Sequence, residues 1–206
     1  TLTAVGNTPC ADATSTMVLT IIDAPIADAG ADADVCEGDT YTLNGTTASN
    51  YSSLNWISSG TGTFTAGTTL TPTYDPSAAD ISIGSVILTL TAVGNTPCAD
   101  ATSTMVLTIT PAPTANITND SIDVICCGDT YVVHGAATND SITLWTTSGD
   151  GTFIWPSNLH TTYTPGPNDC ASGSVLLTLT VDGYNPCNSV YDQIILNIGG
   201  IANFTH

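Results

Sequence analysis

The chain has 206 residues, 42% of them apolar, with 18 acidic residues, no Lys or Arg, and a formal net charge of −18. That length and apolar content suit two packed domains. The charge leaves nothing to neutralise phosphates and repels anionic membranes, so the expected partners include no nucleic acid. No run of 18 apolar residues occurs, so direct membrane insertion through a helix is not expected either.

In chain order, TLTAVGNTPCADATSTMVLTI fills residues 1–21 and recurs letter for letter at 89–109. A linker with Pro rather than Gly/Ser runs comes next, IIDAPIADAG (21–30), which favours restricted, extended backbone. YTLNG (41–45) and SLNWI (53–57) read as strands, and PSAADI (76–81) as one helical turn at most. SVILTLTAV (85–93) alternates Val86, Leu88, Leu90 and Ala92 against Ser85, Ile87, Thr89 and Thr91. TSTMVLTI (102–109) alternates Met105, Leu107 and Ile109 against Thr104, Val106 and Thr108. Period-2 alternation of this kind marks half-buried strands. GNTPCADA between them is a turn-rich loop. A second Pro-bearing linker, ITPAPTANIT (109–118), leads into the rest.

Beyond this second linker the chain repeats itself. CEGDTYTLNG (36–45) matches CCGDTYVVHG (126–135), Trp56 matches Trp145, and GTGTF (60–64) matches GDGTF (149–153). GSVILTLTAVGNTPC (84–98) matches GSVLLTLTVDGYNPC (173–187). The unit is therefore nearly 90 residues long, all-β, with about seven short strands, which is the pattern of a β-sandwich. Residues 1–25 hold the C-terminal strands of an incomplete repeat, 26–112 and 113–198 hold one sandwich each, and 199–206 form a tail or the start of a further segment. The chain reads as a window cut from a longer tandem array.

Closely spaced Asp28, Asp32 and Asp34 are weak Ca²⁺ candidates because Ca²⁺ takes oxygen ligands, but their spacing fits no EF-hand loop and solvated acids are the better reading. Asp120 and Asp123 fall in the equivalent region of the last repeat. His134, His160 and His206 are scattered and lack metal-ligand spacing, so no cofactor is expected. No G-x-S-x-G or H-E-x-x-H motif occurs and no carboxylate pair stands out, so the chain does not read as an enzyme. Trp56 and Trp145 read as core. Trp155, in FIWPSN, reads as packed rather than as an exposed contact aromatic.

The ordered string ADAGADADVCEGDTYTLNG, a Trp strand, GTGTF, TPTYDPSAADI and GSVILTLTA resembles the PKD-like and immunoglobulin-like repeats of giant secreted surface proteins of Bacteroidetes, type IX secretion substrates that include adhesins. The resemblance spans essentially the whole chain. It implies tandem sandwiches on the cell surface or outside the cell, acting in adhesion or in long appendages, with an unspecified surface ligand and with neighbouring repeats, a homo-oligomer or a polymer as partners. It also implies an oxidising compartment, in which seven cysteines form disulfides. Two pairings stand open. Cys36 bonds either Cys187 across a repeat junction or Cys98 within its own repeat. In the first case Cys170 takes Cys126 or Cys127, and Cys10 and Cys98 pair with cysteines upstream. Geometry favours the first, because Cys36 and Cys98 fall at opposite ends of a sandwich. The Asp-Ser-Ile triplets at 120–122 and 140–142 resemble the O-glycosylation signal of the same bacteria, which would place sugar on Ser121 and Ser141.

Overall fold

A computed structural model describes residues 1–119 and 123–199, without the side chain of Asp123. The first strands are β1 (Leu2–Ala4) and β2 (Ala13–Ser15). The middle repeat runs through β3 (Ile26–Asp28), β4 (Ala33–Cys36), β5 (Tyr41–Thr42), β6 (Thr47–Ser49), β7 (Tyr51–Ser58), β8 (Thr63–Thr65), β9 (Thr73–Asp75), helix α1 (Ala78–Ile83), β10 (Ser85–Gly94) and β11 (Ala101–Thr110). The last repeat runs through β12 (Thr114–Ile117), β13 (Asp123–Cys126), β14 (Tyr131–Thr138), β15 (Asp140–Thr147), β16 (Thr152–Phe153), β17 (His160–Thr164), α2 (Pro167–Ser172), β18 (Ser174–Gly183) and β19 (Val190–Gly199).

Each repeat is an immunoglobulin-like sandwich. One sheet has the order β4-β11-β10-β7 in the middle repeat and β13-β19-β18-β15 in the last. Both contain one parallel pair, β4 with β11 and β13 with β19, and otherwise antiparallel pairs. The facing sheet is continuous in the last repeat, β12-β14-β17-β16, but split in the middle one into β3-β6 and β5-β9-β8. The split falls where Gly45 takes φ +84° between β5 and β6, a left-handed conformation that interrupts a strand.

The alternation drives the packing. Val86, Leu88, Leu90 and Ala92 of β10 and Met105, Leu107 and Ile109 of β11 are buried with Leu54, Trp56 and Tyr74. Val175, Leu177, Leu179, Val181, Ile194, Leu196 and Ile198 form the equivalent core around Trp145 and Tyr163. Among the described residues the middle repeat has nine strands, its facing sheet being split, and the last has eight, against about seven expected. The segment PNDCASG (167–173) contains α2, with Pro167 opening the helix and Gly173 closing it in a left-handed cap.

A buried carboxylate closes one end of each sandwich. In α1, Asp80 accepts hydrogen bonds from Thr61 N (2.9 Å), Gly62 N (2.8 Å), Ser77 N (3.0 Å) and the Tyr74 hydroxyl (2.8 Å). In α2, Asp169 accepts from Asp150 N (3.2 Å), Gly151 N (3.0 Å), Gly166 N (2.9 Å) and the Tyr163 hydroxyl (2.6 Å). A Cβ on Gly60 or Gly149 would collide with the carboxylate, so the GTGTF and GDGTF glycines are steric requirements. Burial by itself would raise the Asp80 carboxyl, but its hydrogen bonds outweigh burial and hold it down at about 2. The balance for Asp169 has the same sign. Burial, then the hydrogen bond to Asp169, pushes the Tyr163 phenol up to about 12.

Candidate functional site at the repeat junction

The junction is built from three short pieces of chain. The first is the end of β4, where Cys36 stands beside Thr110 in the parallel ladder and Glu37 N donates to Thr110 O at 2.8 Å. The second is the linker after β11, where Ala112 N donates to Glu37 Oε2 (3.2 Å) and Asn139 Nδ2 donates to Ala112 O (2.8 Å). Asn139 has φ +55°, a left-handed conformation that Asn tolerates. Pro113 is buried, and its ring lies against Gly183 so closely that a Cβ there would strike it. The third is the loop between β18 and β19. A turn bond from Cys187 N to Tyr184 O (2.8 Å) aims the Cys187 side chain at the linker, where Sγ lies 3.5 Å from Thr110 O and 3.6 Å from Pro111 O.

The structure brings Cys36 and Cys187 together in a disulfide with Cα atoms 4.9 Å apart, across 151 residues of sequence. It pairs Cys127 with Cys170 at 5.5 Å within the last repeat. It does not bring Cys36 and Cys98 together. Cys36 is level with Thr110, the last residue of β11, while Cys98 precedes Ala101, the first, and ten residues of strand span roughly 33 Å. Cys10, Cys98 and Cys126 are free thiols.

The other sequence candidates disperse. Asp28 Oδ1 accepts from Gly30 N (2.9 Å) and Asp32 Oδ1 from Val106 N (2.7 Å), so two of the three Ca²⁺ candidates serve the backbone. Among the described residues no group of three or more His, Cys, Asp or Glu is placed to hold a metal ion. Ser141 is exposed, and its hydroxyl donates to Asp182 O and Gly183 O. Ser121, Asp120 and His206 lie outside the described residues. Trp56 and Trp145 are buried, but Trp155, expected to pack, is 64% exposed. Its loop holds it out, with Trp155 O accepting from Asn158 N at 3.1 Å and Trp155 N donating to Thr161 Oγ1 at 3.1 Å. His134 and His160, read as scattered, stand side by side on β14 and β17.

Sequence reasoning missed the Tyr–Asp locks. Their signal was present as the shared six-residue step from Tyr74 to Asp80 and from Tyr163 to Asp169, each preceded by a G-x-G-T-F loop.

Tandem immunoglobulin-domain structures resemble this chain at low identity. A titin fragment, I67–I69, is 14% identical over 87% of this chain and 67% of its own, with TM-score 0.45. The insect immune protein hemolin is 11% identical over 83% and 46%, with TM-score 0.47. Sidekick-1 immunoglobulin domains 1–4 are 16% identical over 87% and 48%, with TM-score 0.41. The chain thus spans about half to two thirds of the length of these structures. No family model and no curated protein matches.

Proposed function

We propose that this chain is a stretch of structural repeats from a long extracellular surface adhesin or appendage, acting as a rigid spacer stapled by a disulfide at each junction. The observation that carries the reading is that the junction occurs twice. The Cys98 thiol faces Ile22 O at 3.4 Å and Asp23 O at 3.8 Å, as Cys187 Sγ faces Thr110 O and Pro111 O. Asn50 Nδ2 donates to Ala24 O (3.2 Å) as Asn139 does to Ala112 O, and Pro25 is buried like Pro113. Cys98 therefore occupies, against residues 22–25, the place that Cys187 occupies against residues 110–113.

At the other end, Cys126 holds the place of Cys36. It ends β13 beside Gly199 and accepts the turn bond from Asp129 N (3.0 Å), as Cys36 does from Asp39 N (3.0 Å). On this reading Cys98 and Cys10 bond cysteines of preceding repeats and Cys126 bonds one of a following repeat. Residues 1–25 belong to the preceding unit. The partners are neighbouring repeats, in the same chain or in a homo-oligomer or polymer. Each bond removes two protons and two electrons from a thiol pair, which an extracellular oxidant accepts.

Thiol labelling of the intact protein taken from outside the cell tests this. Cys10, Cys98 and Cys126 should label only after reduction. Labelling of Cys98 before reduction would break the ladder.

A second reading, a glycan- or protein-binding module acting through loops of the last repeat, is favoured by one observation, the exposed Trp155 beside Ile154, which is 55% exposed. Loss of surface adhesion in Trp155→Ala with an unchanged disulfide pattern would support it.

A further inference from the structure

The chain has three histidines in 206 residues, and the register of the last sandwich sets two of them directly opposite each other. His134 of β14 and His160 of β17 are cross-strand partners, both exposed, with Nδ1 atoms 3.1 Å apart and rings at 60°. The equivalent positions of the middle repeat hold Asn44 and Thr71. Both histidines thus occur together in one repeat and are both absent from the other.

We propose that His134 and His160 form a bidentate site for a divalent late first-row transition-metal ion of the zinc, nickel or copper class. Imidazole nitrogen is a preferred donor for these ions. With metal–nitrogen bonds of about 2.0–2.1 Å, nitrogens 3.1 Å apart subtend about 95–102° at the metal, between the octahedral and tetrahedral angles. Rotation about the broad χ2 torsions turns the two Nδ1 lone pairs toward one ion on the solvent side.

The backbone beneath is fixed. His134 N donates to Asn119 Oδ1 (2.6 Å), and His134 O accepts from Thr118 N (2.8 Å) and the Thr118 hydroxyl (3.2 Å). The two histidines are therefore held on a rigid sheet rather than a loop, which lowers the ordering cost of chelation. A chain of net charge −18 draws cations to its surface, and no Lys or Arg opposes them. Two protein ligands leave the remaining coordination positions to water or to a donor from a partner.

The test is calorimetric titration of the full chain with Ni²⁺, with free thiols alkylated and millimolar Ca²⁺ present to occupy carboxylates. The variants His134→Asn and His160→Thr install the residues found at the equivalent positions of the middle repeat, both sites are exposed, and an unchanged thermal melt checks that folding is preserved. One Ni²⁺ should bind, and because the second imidazole acts as an intramolecular ligand, either substitution should weaken binding by about 100-fold. Weakening of less than about tenfold in either variant would overturn the site, because binding would then rest on other groups.

Discussion

Residues 1–21 and 89–109 have the same sequence and different structures. In the middle repeat the segment forms β10 from Thr89 onward and all of β11 but its last residue, and its four internal pairs run from Thr89↔Thr104 to Ala92↔Ala101. In the first segment only three pairs survive, Leu2↔Ser15, Thr3↔Thr14 and Ala4↔Ala13, in the same register. The loop is the same in both. Gly6 N donates to Asp12 Oδ1 at 2.8 Å, and Gly94 N to Asp100 Oδ1 at 2.9 Å. Met105, Leu107 and Ile109 are buried, while Met17, Leu19 and Ile21 are 78%, 76% and 84% exposed. The loop and the pairs next to it are thus specified locally. The rest of the strands depends on partners outside the segment: Met105–Thr108 pair with Ser85–Leu88, to which residues 1–21 have no counterpart in this chain, and β7, β4 and a second sheet complete the sandwich.

The largest effect should come from giving the first segment its missing partners. A chain in which a copy of residues 26–88 precedes Thr1 reproduces the middle repeat through Ile21. Amides of residues 14–20 should then pass from near-free exchange to protection matching residues 102–108, read by hydrogen–deuterium exchange. Unchanged exchange would mean that the hairpin, not its neighbours, limits the strands.

The next largest effect separates two identical leucines. Leu107→Ala removes a fully buried side chain and should cost about 2–5 kcal/mol in denaturant unfolding of the middle repeat. Leu19→Ala removes the same atoms from solvent and should stay within about 0.5 kcal/mol.

A smaller effect comes from the carboxylate that locks the sandwich of 89–109. The ordinary carboxyl value for Asp80 is 3.8, and its folded value is about 2. Its stabilisation is therefore complete above pH 3.8 and is lost as pH falls through that window toward 2. Acid titration of Asp80→Asn should be flatter across this range than that of the parent chain, and an equally steep profile would remove the lock from the account.

The smallest difference concerns the loop. Asp100→Ala and Asp12→Ala should each cost about 1 kcal/mol of local stability and speed exchange of the Gly94 and Gly6 amides by a similar factor. Unequal effects would show that the loop borrows stability from the sandwich.

Legibility in the sequence divides along the same line. Alternation in SVILTLTAV and TSTMVLTI exposed the inward residues of β10 and β11, because a half-buried strand writes its burial as period 2. The helix in PNDCAS was obscured by Pro, Asn, Asp and Gly, which also mark loops, although Pro at the start and Gly after the end are helix punctuation. Nothing in the local pattern marked Asp80 and Asp169 as buried, because burial is a tertiary property. The meeting of His134 with His160 depends on the register of β14 against β17, which their separation of 26 residues does not reveal. Trp155 looked like its buried counterparts in type, but its place on a loop rather than a strand leaves it exposed.

On the reading proposed above, the junction is a repeated, covalently fixed element. Closing a loop of 151 residues contributes about 5 kcal/mol on the chain-entropy estimate, where exposed charges of one sign contribute no attraction. Non-reducing peptide mapping tests it most directly, with a protease that cuts at acidic or aromatic residues because the chain offers trypsin no Lys or Arg. The account predicts a peptide joining Cys36 to Cys187 and another joining Cys127 to Cys170. A peptide joining Cys36 to Cys98 would contradict it.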